Sequence, residues 1–304
     1  MIFLYWRDII ILGDEKMNKY VLFADSALDI DNSVLEGWSV KRIELSLIFN
    51  ESGKEYLNNQ INPTDFYNEM RGGKTAKTSA INTQTFIDTF EPELKAGNDV
   101  VYIAFSSGLS TTYNSGVAAA NELAEHYPNN KVLVVDSLAA SAGYGMLVYL
   151  ASQKMHEGAA AEDIIKFVED TRLKIAHWFT VDDLVYLKRG GRVSPTVAFV
   201  GGVLGIKPIL HVDDEGHLTS VSKVRGRRAA IAELAKRYGN NANKGDIQTV
   251  YISHGDCFSD AQELADILKK DYGVKTDIIT FVGPVIGAHS GPGTLALFFV
   301  ANQR

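Results

Sequence analysis

Apolar residues along this chain cluster in short segments, and between the segments they recur at helical spacing. Tyr20–Ala24 and Val100–Phe105 are unbroken apolar runs, and Val40–Phe49 and Lys131–Val135 are further segments that read as strands. A continuous apolar run bounded by turn residues predicts a buried strand, as a parallel sheet requires. Helices are predicted over 31–36, 84–96, 113–126 and 141–156. Another begins at Asn62-Pro63, with proline in the first turn, and ends at Arg71-Gly72-Gly73. Tyr56–Gln60 reads as a polar connection, and Lys77–Thr83 as a hydroxyl-rich loop with Asn82 or Thr83 capping the next helix. Strand, turn and helix in repetition predict a parallel sheet covered on both faces.

Gly158–Ala161 reads as a domain boundary, dividing an α/β domain over 17–160 from a second over 161–304. The second half opens with a helix over 162–174 and a strand near His177–Val181, and Asp182 is expected to cap a short helix. Ser194-Pro195 starts a helix whose body, Thr196–Ile206, is almost wholly apolar. A helix without a polar face is buried or lines an apolar cavity. Pro208–Val224 reads as a β-hairpin turning at Asp214-Glu215-Gly216. Helices over 227–238 and 259–272 and strands over 247–253 and 275–282 follow. The closing piece, 283–300, is a glycine- and proline-rich loop followed by an apolar strand. Met1–Leu12 is apolar but broken by Arg7-Asp8, too short to span a bilayer. Met17 is the cleaner start, so 1–16 is expected to lie outside the core.

The chemistry concentrates in VVYIAFSSGLSTTYNS, Val100–Ser115. There a buried strand feeds a serine-rich turn that opens a helix. The first N–H groups of a helix have no partners in the helix itself and face the carboxyl edge of the sheet, where anions and ligands bind. Hydroxyls in place of lysines point to a small anion held by hydrogen bonds, such as a carboxylate. The Thr78-Ser79 loop and the His289 loop are also polar, glycine-flanked or hydroxyl-rich. If the three converge, they make a donor cluster over an apolar interior; taken singly, each serine or threonine serves equally well as a helix cap.

Composition narrows the class. Hydrophobic content of 46% and charged content of 22% are those of a soluble globular protein. A net charge of −7 disfavours a nucleic-acid protein with a dominant basic face. The one cysteine, Cys257, makes neither an internal disulfide nor a thiolate zinc site, so a reducing cytosol is expected. The seven histidines contain no H-x-x-x-H pair, and no metal or cofactor is expected. There is no phosphate-binding G-x-x-x-x-G-K-[ST] loop and no G-x-S-x-G elbow. A Ser107–Asp136–His289 triad can be drawn in a hydrolase's chain order, which leaves a hydrolase or phosphotransferase on the same anion site as the alternative to a binding protein.

Several segments then match one family in order from about residue 20 to residue 300. They are Asp25-Ser26, Lys77-Thr78-Ser79, Ser106–Ser115, Asp136-Ser137, Gly190-Gly191-Arg192, Gly205–Leu210, Lys223-Val224-Arg225 and, most specific, GPVIGAHSGPG over 283–293. The sequence resembles the DegV family of bacterial fatty-acid-binding proteins, which includes the FakB subunits of fatty acid kinase. The resemblance implies a two-domain α/β protein with one long-chain, palmitate-like fatty acid between its domains. Thr78, Ser79, Ser107, Ser110 and His289 would hold the carboxylate, and segment 283–300 would contribute to the site. It implies a carrier with no catalytic residues of its own, which presents the bound acid to a separate ATP-using kinase and makes at most transient membrane contact. Arg189, Arg192, Lys223 and Arg225 are candidates for docking that kinase. The chain departs from the family at Ala80-Ile81-Asn82, where a polar residue, proline and serine are usual, and at Thr111, where glycine is usual.

Overall fold

The computed structural model describes residues 20–193, 205–243, 245 and 249–304. The extra segment 1–16 and nearly all of the apolar run Thr196–Ile206 lie outside the described residues, although Ile206 itself begins a strand.

The first half is built on four parallel strands in the order β2-β1-β6-β7: β1 (Tyr20–Asp25), β2 (Val40–Ile43), β6 (Asp99–Ala104) and β7 (Val132–Asp136). Val100 to Ala104 are fully buried, as their unbroken apolar run requires. The helices of this half are α1 (Asn32–Gly37), α2 (Pro63–Arg71), α3 (Thr83–Lys95), α4 (Thr112–His126) and α5 (Ser141–His156), and α6 (Ala161–Thr171), expected to open the second half, packs on β6 and β7 of this sheet. Pro63 stands in the first turn of α2, where Asn62 Oδ1 accepts from Thr64 N at 2.9 Å. Asn82 caps α3 in the same way, accepting from Thr85 N at 2.9 Å.

The segment Val40–Phe49 is two strands rather than one. β2 stays in the parallel sheet, and β3 (Ser46–Phe49) leaves it to form a three-stranded antiparallel sheet with β4 (Glu55–Leu57) and β5 (Ala76–Ser79). The break falls at Leu45, whose N–H is taken by Ser26 Oγ at 2.9 Å. The Tyr56–Gln60 connection and the front of the Thr78-Ser79 loop therefore contribute to strands, and Thr78 sits at a defined register opposite Leu47.

The second half forms a six-stranded mixed sheet in the order β10-β9-β8-β13-β11-β12. Its strands are β8 (Ile175–Thr180), β9 (Ile206–Val212), β10 (Leu218–Arg225), β11 (Val250–His254), β12 (Ile278–Phe281) and β13 (Leu295–Val300). β9 and β10 are the expected hairpin, with a register shift between Ser220 and Ser222. One face buries Trp178, Ile252 and Leu297 in a core shared with α8 (Arg227–Asn241) and α9 (Phe258–Tyr272). The opposite face receives α5. That helix is buried along nearly its whole length, which explains its lack of a polar face.

The remaining helices are α7 (Val185–Gly190) and α10 (Pro284–Ser290). Asp183, not Asp182, serves the start of α7: its Oδ1 accepts from Val185 N at 2.9 Å, while Asp182 pairs with Lys207 Nζ at 2.6 Å. The His289 loop is a seven-residue helix, α10, bracketed by Gly283-Pro284 and Gly291.

Candidate functional site

The three hydroxyl-rich segments meet. A cavity of about 510 Å³ is lined by Thr78 and Ser79 of β5, by Ser107 and Ser110 of the turn before α4, and by His289 of α10. The volume falls within the usual range of small-molecule pockets. Deeper in, its wall is mainly apolar: Phe105, Phe179, Val282, Val285, Ala296 and Phe298 all face it. Hydroxyl donors of β5 and the turn before α4 and the imidazole of α10 thus face a cavity whose lining is largely hydrocarbon.

His289 Nε2 lies 2.8 Å from Thr78 Oγ1. The other ring nitrogen, Nδ1, is buried without a hydrogen-bond partner among the described residues. Burial pushes the His289 pKa down to about 4, and the nearby Arg192 charge adds to the effect, so the ring is neutral at pH 7. A buried orphan N–H is rarer than a buried orphan lone pair. The neutral ring therefore keeps its proton on Nε2 and donates it to Thr78, which leaves the Thr78 O–H free for a ligand. The fit is close: a Cβ on Gly190 would overlap His289 Nδ1.

The serine-rich turn is held from several sides. Asp25, fully buried, accepts from Tyr102 Oη at 2.7 Å and Phe105 N at 2.9 Å, which fixes the end of β6 where the turn begins. Burial raises the Asp25 pKa to about 6 against these hydrogen bonds. Ser106 is buried and donates to Gly216 O of the β9–β10 turn at 2.9 Å. Thr111 precedes α4 in an ordinary right-handed conformation (φ −78°), so the missing glycine costs nothing there. The Thr111 side chain makes no cap hydrogen bond to α4. Ser110 Oγ accepts from Thr112 N at 3.2 Å and lies 2.9 Å from Thr112 Oγ1. Thr112 Oγ1 in turn takes the Ile81 N–H at 3.4 Å. When Thr112 is the donor of that hydroxyl pair, the Ser110 O–H is open to a ligand beside the first N–H groups of α4.

The hydrolase triad does not assemble. Asp136 Oδ1 accepts from Ser107 N at 3.2 Å and Leu138 N at 3.0 Å, and neither nitrogen of His289 bonds to it. Asp136 serves the turn's backbone. The four basic candidates separate. Arg192 lines the cavity, where its Nε donates to Leu109 O at 3.3 Å, and among the described lining residues it alone carries a full charge. Its sequence position next to two glycines gave no sign of that placement. Arg189 is exposed on α7 with its guanidinium 5.8 Å from the centre of the Tyr186 ring, and Lys223 and Arg225 are exposed on β10. Thr112, Gly190 and the buried Asp25 were not singled out as parts of the site; they act through hydrogen bonds and close contacts that spacing does not reveal. Among the described residues, no group of three or more His, Cys, Asp or Glu is arranged to hold a metal, and no helix is long and apolar enough to cross a membrane.

A family model described as an uncharacterised protein of the DegV family matches residues 19–302. The chain belongs to the DegV family. A DegV domain-containing protein of Clostridium perfringens is 40% identical over 291 residues, covering 95% of this chain and 99% of that protein. DegV of Bacillus subtilis, described as a fatty acid binding protein, is 29% identical with a TM-score of 0.82, covering 94% of this chain and 100% of that one. A DegV family protein of Thermus thermophilus, described by its fatty acid binding, is 28% identical with a TM-score of 0.84, covering 93% and 99% of the two chains. The α/β architecture with its parallel sheet is thus that of the solved DegV proteins.

Proposed function

We propose that this DegV protein binds one long-chain fatty acid in the cavity between β5, α4, α10 and the six-stranded sheet. Thr78 and Ser110 donate hydrogen bonds to its carboxylate, and Ser79, Ser107 and the first N–H groups of α4 complete the headgroup site. The observation that carries this reading is the placement of hydroxyl donors, with His289 behind Thr78, in the lining of a largely apolar cavity. The described fatty acid binding of the B. subtilis and T. thermophilus relatives supports it.

The energetics suit a carrier. A palmitate tail of about 14 methylenes gains about 11 kcal/mol gross on burial, at ~0.8 kcal/mol per CH₂. A buried carboxylate without partners would forfeit much of that gain. Neutral donors answer the charge without surrounding it with cations, so the headgroup keeps an acceptor lone pair for chemistry. Arg192 steers the anion inward from the solvent side. The carboxylate would then be presented to an ATP-dependent kinase that forms the acyl phosphate, with exposed Arg189, Lys223 and Arg225 as its docking charges.

Two measurements test the reading in sequence. Delipidated protein titrated with palmitate or oleate should bind one equivalent, and absence of binding would refute the carrier. Reconstitution with a fatty acid kinase should yield acyl phosphate only when both proteins are present. Esterase or phosphatase turnover by the isolated chain, lost in Ser107→Ala, would favour an enzyme instead.

A further inference from the structure

The deep wall of the cavity is not uniformly apolar. Among its polar side chains, two are already satisfied by backbone. His177 Nδ1 lies 2.8 Å from Ile175 O and its Nε2 takes the Ala140 N–H at 3.3 Å, while Thr294 Oγ1 donates to Gly291 O at 2.8 Å. Three serines are different. Ser141, the first residue of α5, has its Oγ 2.5 Å from Asp29 Oδ2 and 3.0 Å from Ser253 Oγ of β11. Asp29 stands behind the wall, 7% exposed. The three groups form one chain of hydrogen bonds that ends at Ser253, on the cavity surface. Ser290, at the end of α10, also lines the cavity; it is 5% exposed, and its Oγ has no partner among the described residues.

An all-methylene tail leaves Ser290 Oγ with nothing to bond, and a buried unpaired hydroxyl is costly; Ser253 Oγ keeps its bond to Ser141 and has capacity for one more partner. At pH 8, above the Asp29 pKa of about 7, the carboxylate is ionised and accepts from Ser141, whose oxygen is then open to accept from Ser253. Ser253 Oγ then offers lone pairs to the cavity, while Ser290 offers an O–H. One ligand group answers both: a hydroxyl, which donates to one oxygen and accepts from the other. A ketone answers only the donor. Ser253 lies on the same sheet rung as Phe179 and Ala296 of the cavity wall, and Ser290 follows His289 at the end of α10.

We propose that Ser253 and Ser290 form a second polar subsite inside the acyl cavity, suited to a hydroxyl group carried on the chain of a long-chain fatty acid. Ser141 and Asp29 act as positioning residues that orient Ser253. The proposal rests on the fatty-acid reading above and adds a preference for hydroxylated chains.

The test is competition binding to the full delipidated chain at pH 8. The competitors are stearate, hydroxystearates with the hydroxyl at successive positions along the chain, and the matching ketostearates. At least one hydroxystearate is expected to bind about tenfold tighter than stearate, the effect of one added hydrogen bond of about 1.4 kcal/mol. Its ketone should gain less. Ser253→Ala and Ser290→Ala should each reduce the ratio of hydroxystearate to stearate affinity, a pattern that general destabilisation would not give. Stearate binding with no preferred hydroxystearate would mean that a buried water already satisfies these serines, and would overturn the subsite alone. An advantage that survives both substitutions would also overturn it. No binding of any acid would overturn the fatty-acid reading and the subsite together.

Discussion

Thr78 and His289 lie 211 residues apart in the chain, yet their Oγ1 and Nε2 atoms stand 2.8 Å apart in the cavity wall. β5 fixes Thr78 by pairing with β3, and α10 delivers His289 from the far end of the sequence. The pair converts an ordinary threonine into an oriented donor. Thr78→Ala is expected to raise the fatty-acid Kd about 10- to 100-fold, the loss of a hydrogen bond to a charged group worth about 1.5–3 kcal/mol. Ser110→Ala should act in the same direction. Isothermal titration with oleate reads both, and an unchanged Kd in the double variant would remove these hydroxyls from the headgroup site.

Gly190 is the floor beneath the histidine. A Cβ there would overlap His289 Nδ1, and Gly190 has no left-handed backbone that would itself resist alanine. Gly190→Ala should therefore displace the ring and weaken binding by a factor comparable to Thr78→Ala, with a smaller change in melting temperature. His289→Gln, which keeps a donor near Thr78, should recover part of the affinity lost in His289→Ala.

Much of this site is legible in the sequence because its donors sit in hydroxyl-rich segments beside apolar runs, the pattern that sheet-edge sites require. The Thr78-Ser79, Ser106–Ser110 and His289 segments stand out that way, and the family resemblance names Thr78, Ser79, Ser107, Ser110 and His289 within them. The boundaries are less legible. The strand-like segment Val40–Phe49 does not say that the chain changes sheets at Leu45, because apolar positions continue on both sides of that residue. Gly283-Pro284 and Gly291 look like loop punctuation, although they enclose a complete short helix. Arg192 is exposed, and its position at the cavity is not legible because it depends on a carbonyl, Leu109 O, from the other half of the chain. The same holds for the serine chain behind the cavity, whose members Asp29, Ser141 and Ser253 share no motif.

Arg304 ties the two halves at the back of the headgroup turn. Its guanidinium donates to Leu138 O and Arg172 O at 2.8 Å, to Asp213 O at 2.9 Å and to Ile175 O at 3.3 Å. Burial lowers its pKa to about 10, still well above neutrality, so the group stays charged. Asp213 begins the β9–β10 turn whose Gly216 O accepts from Ser106. Arg304→Ala should cost about 2–4 kcal/mol by stranding several carbonyls. It should also speed amide exchange across 213–217. Lysine should rescue little, since a point charge does not span four acceptors.

Asp29 makes stability depend on pH in a stated direction. Burial raises its pKa from the ordinary carboxyl value of 3.8 to about 7, against the Ser141 hydrogen bond. Between those values the folded protein holds a proton that the unfolded chain has lost. This contribution is present below pH 3.8 and is lost as pH rises through 7. Asp29→Asn removes the titration. Relative to that variant, the wild type should lose on the order of 4 kcal/mol between pH 4 and pH 8, at about 1.36 kcal/mol per pKa unit. Urea denaturation of both proteins across that range reads the difference; parallel pH profiles would contradict it. His289 acts oppositely: its pKa of about 4 makes the fold lose stability as pH falls below the ordinary histidine value of 6.5.

The most direct test of the central claim is native mass spectrometry of the protein as purified and again after delipidation and incubation with palmitate or oleate. The account predicts one added mass per chain equal to a long-chain fatty acid, reduced when Thr78 and Ser110 are both alanine. A chain that stays unliganded after incubation, or that carries a ligand without an acyl chain, would contradict it.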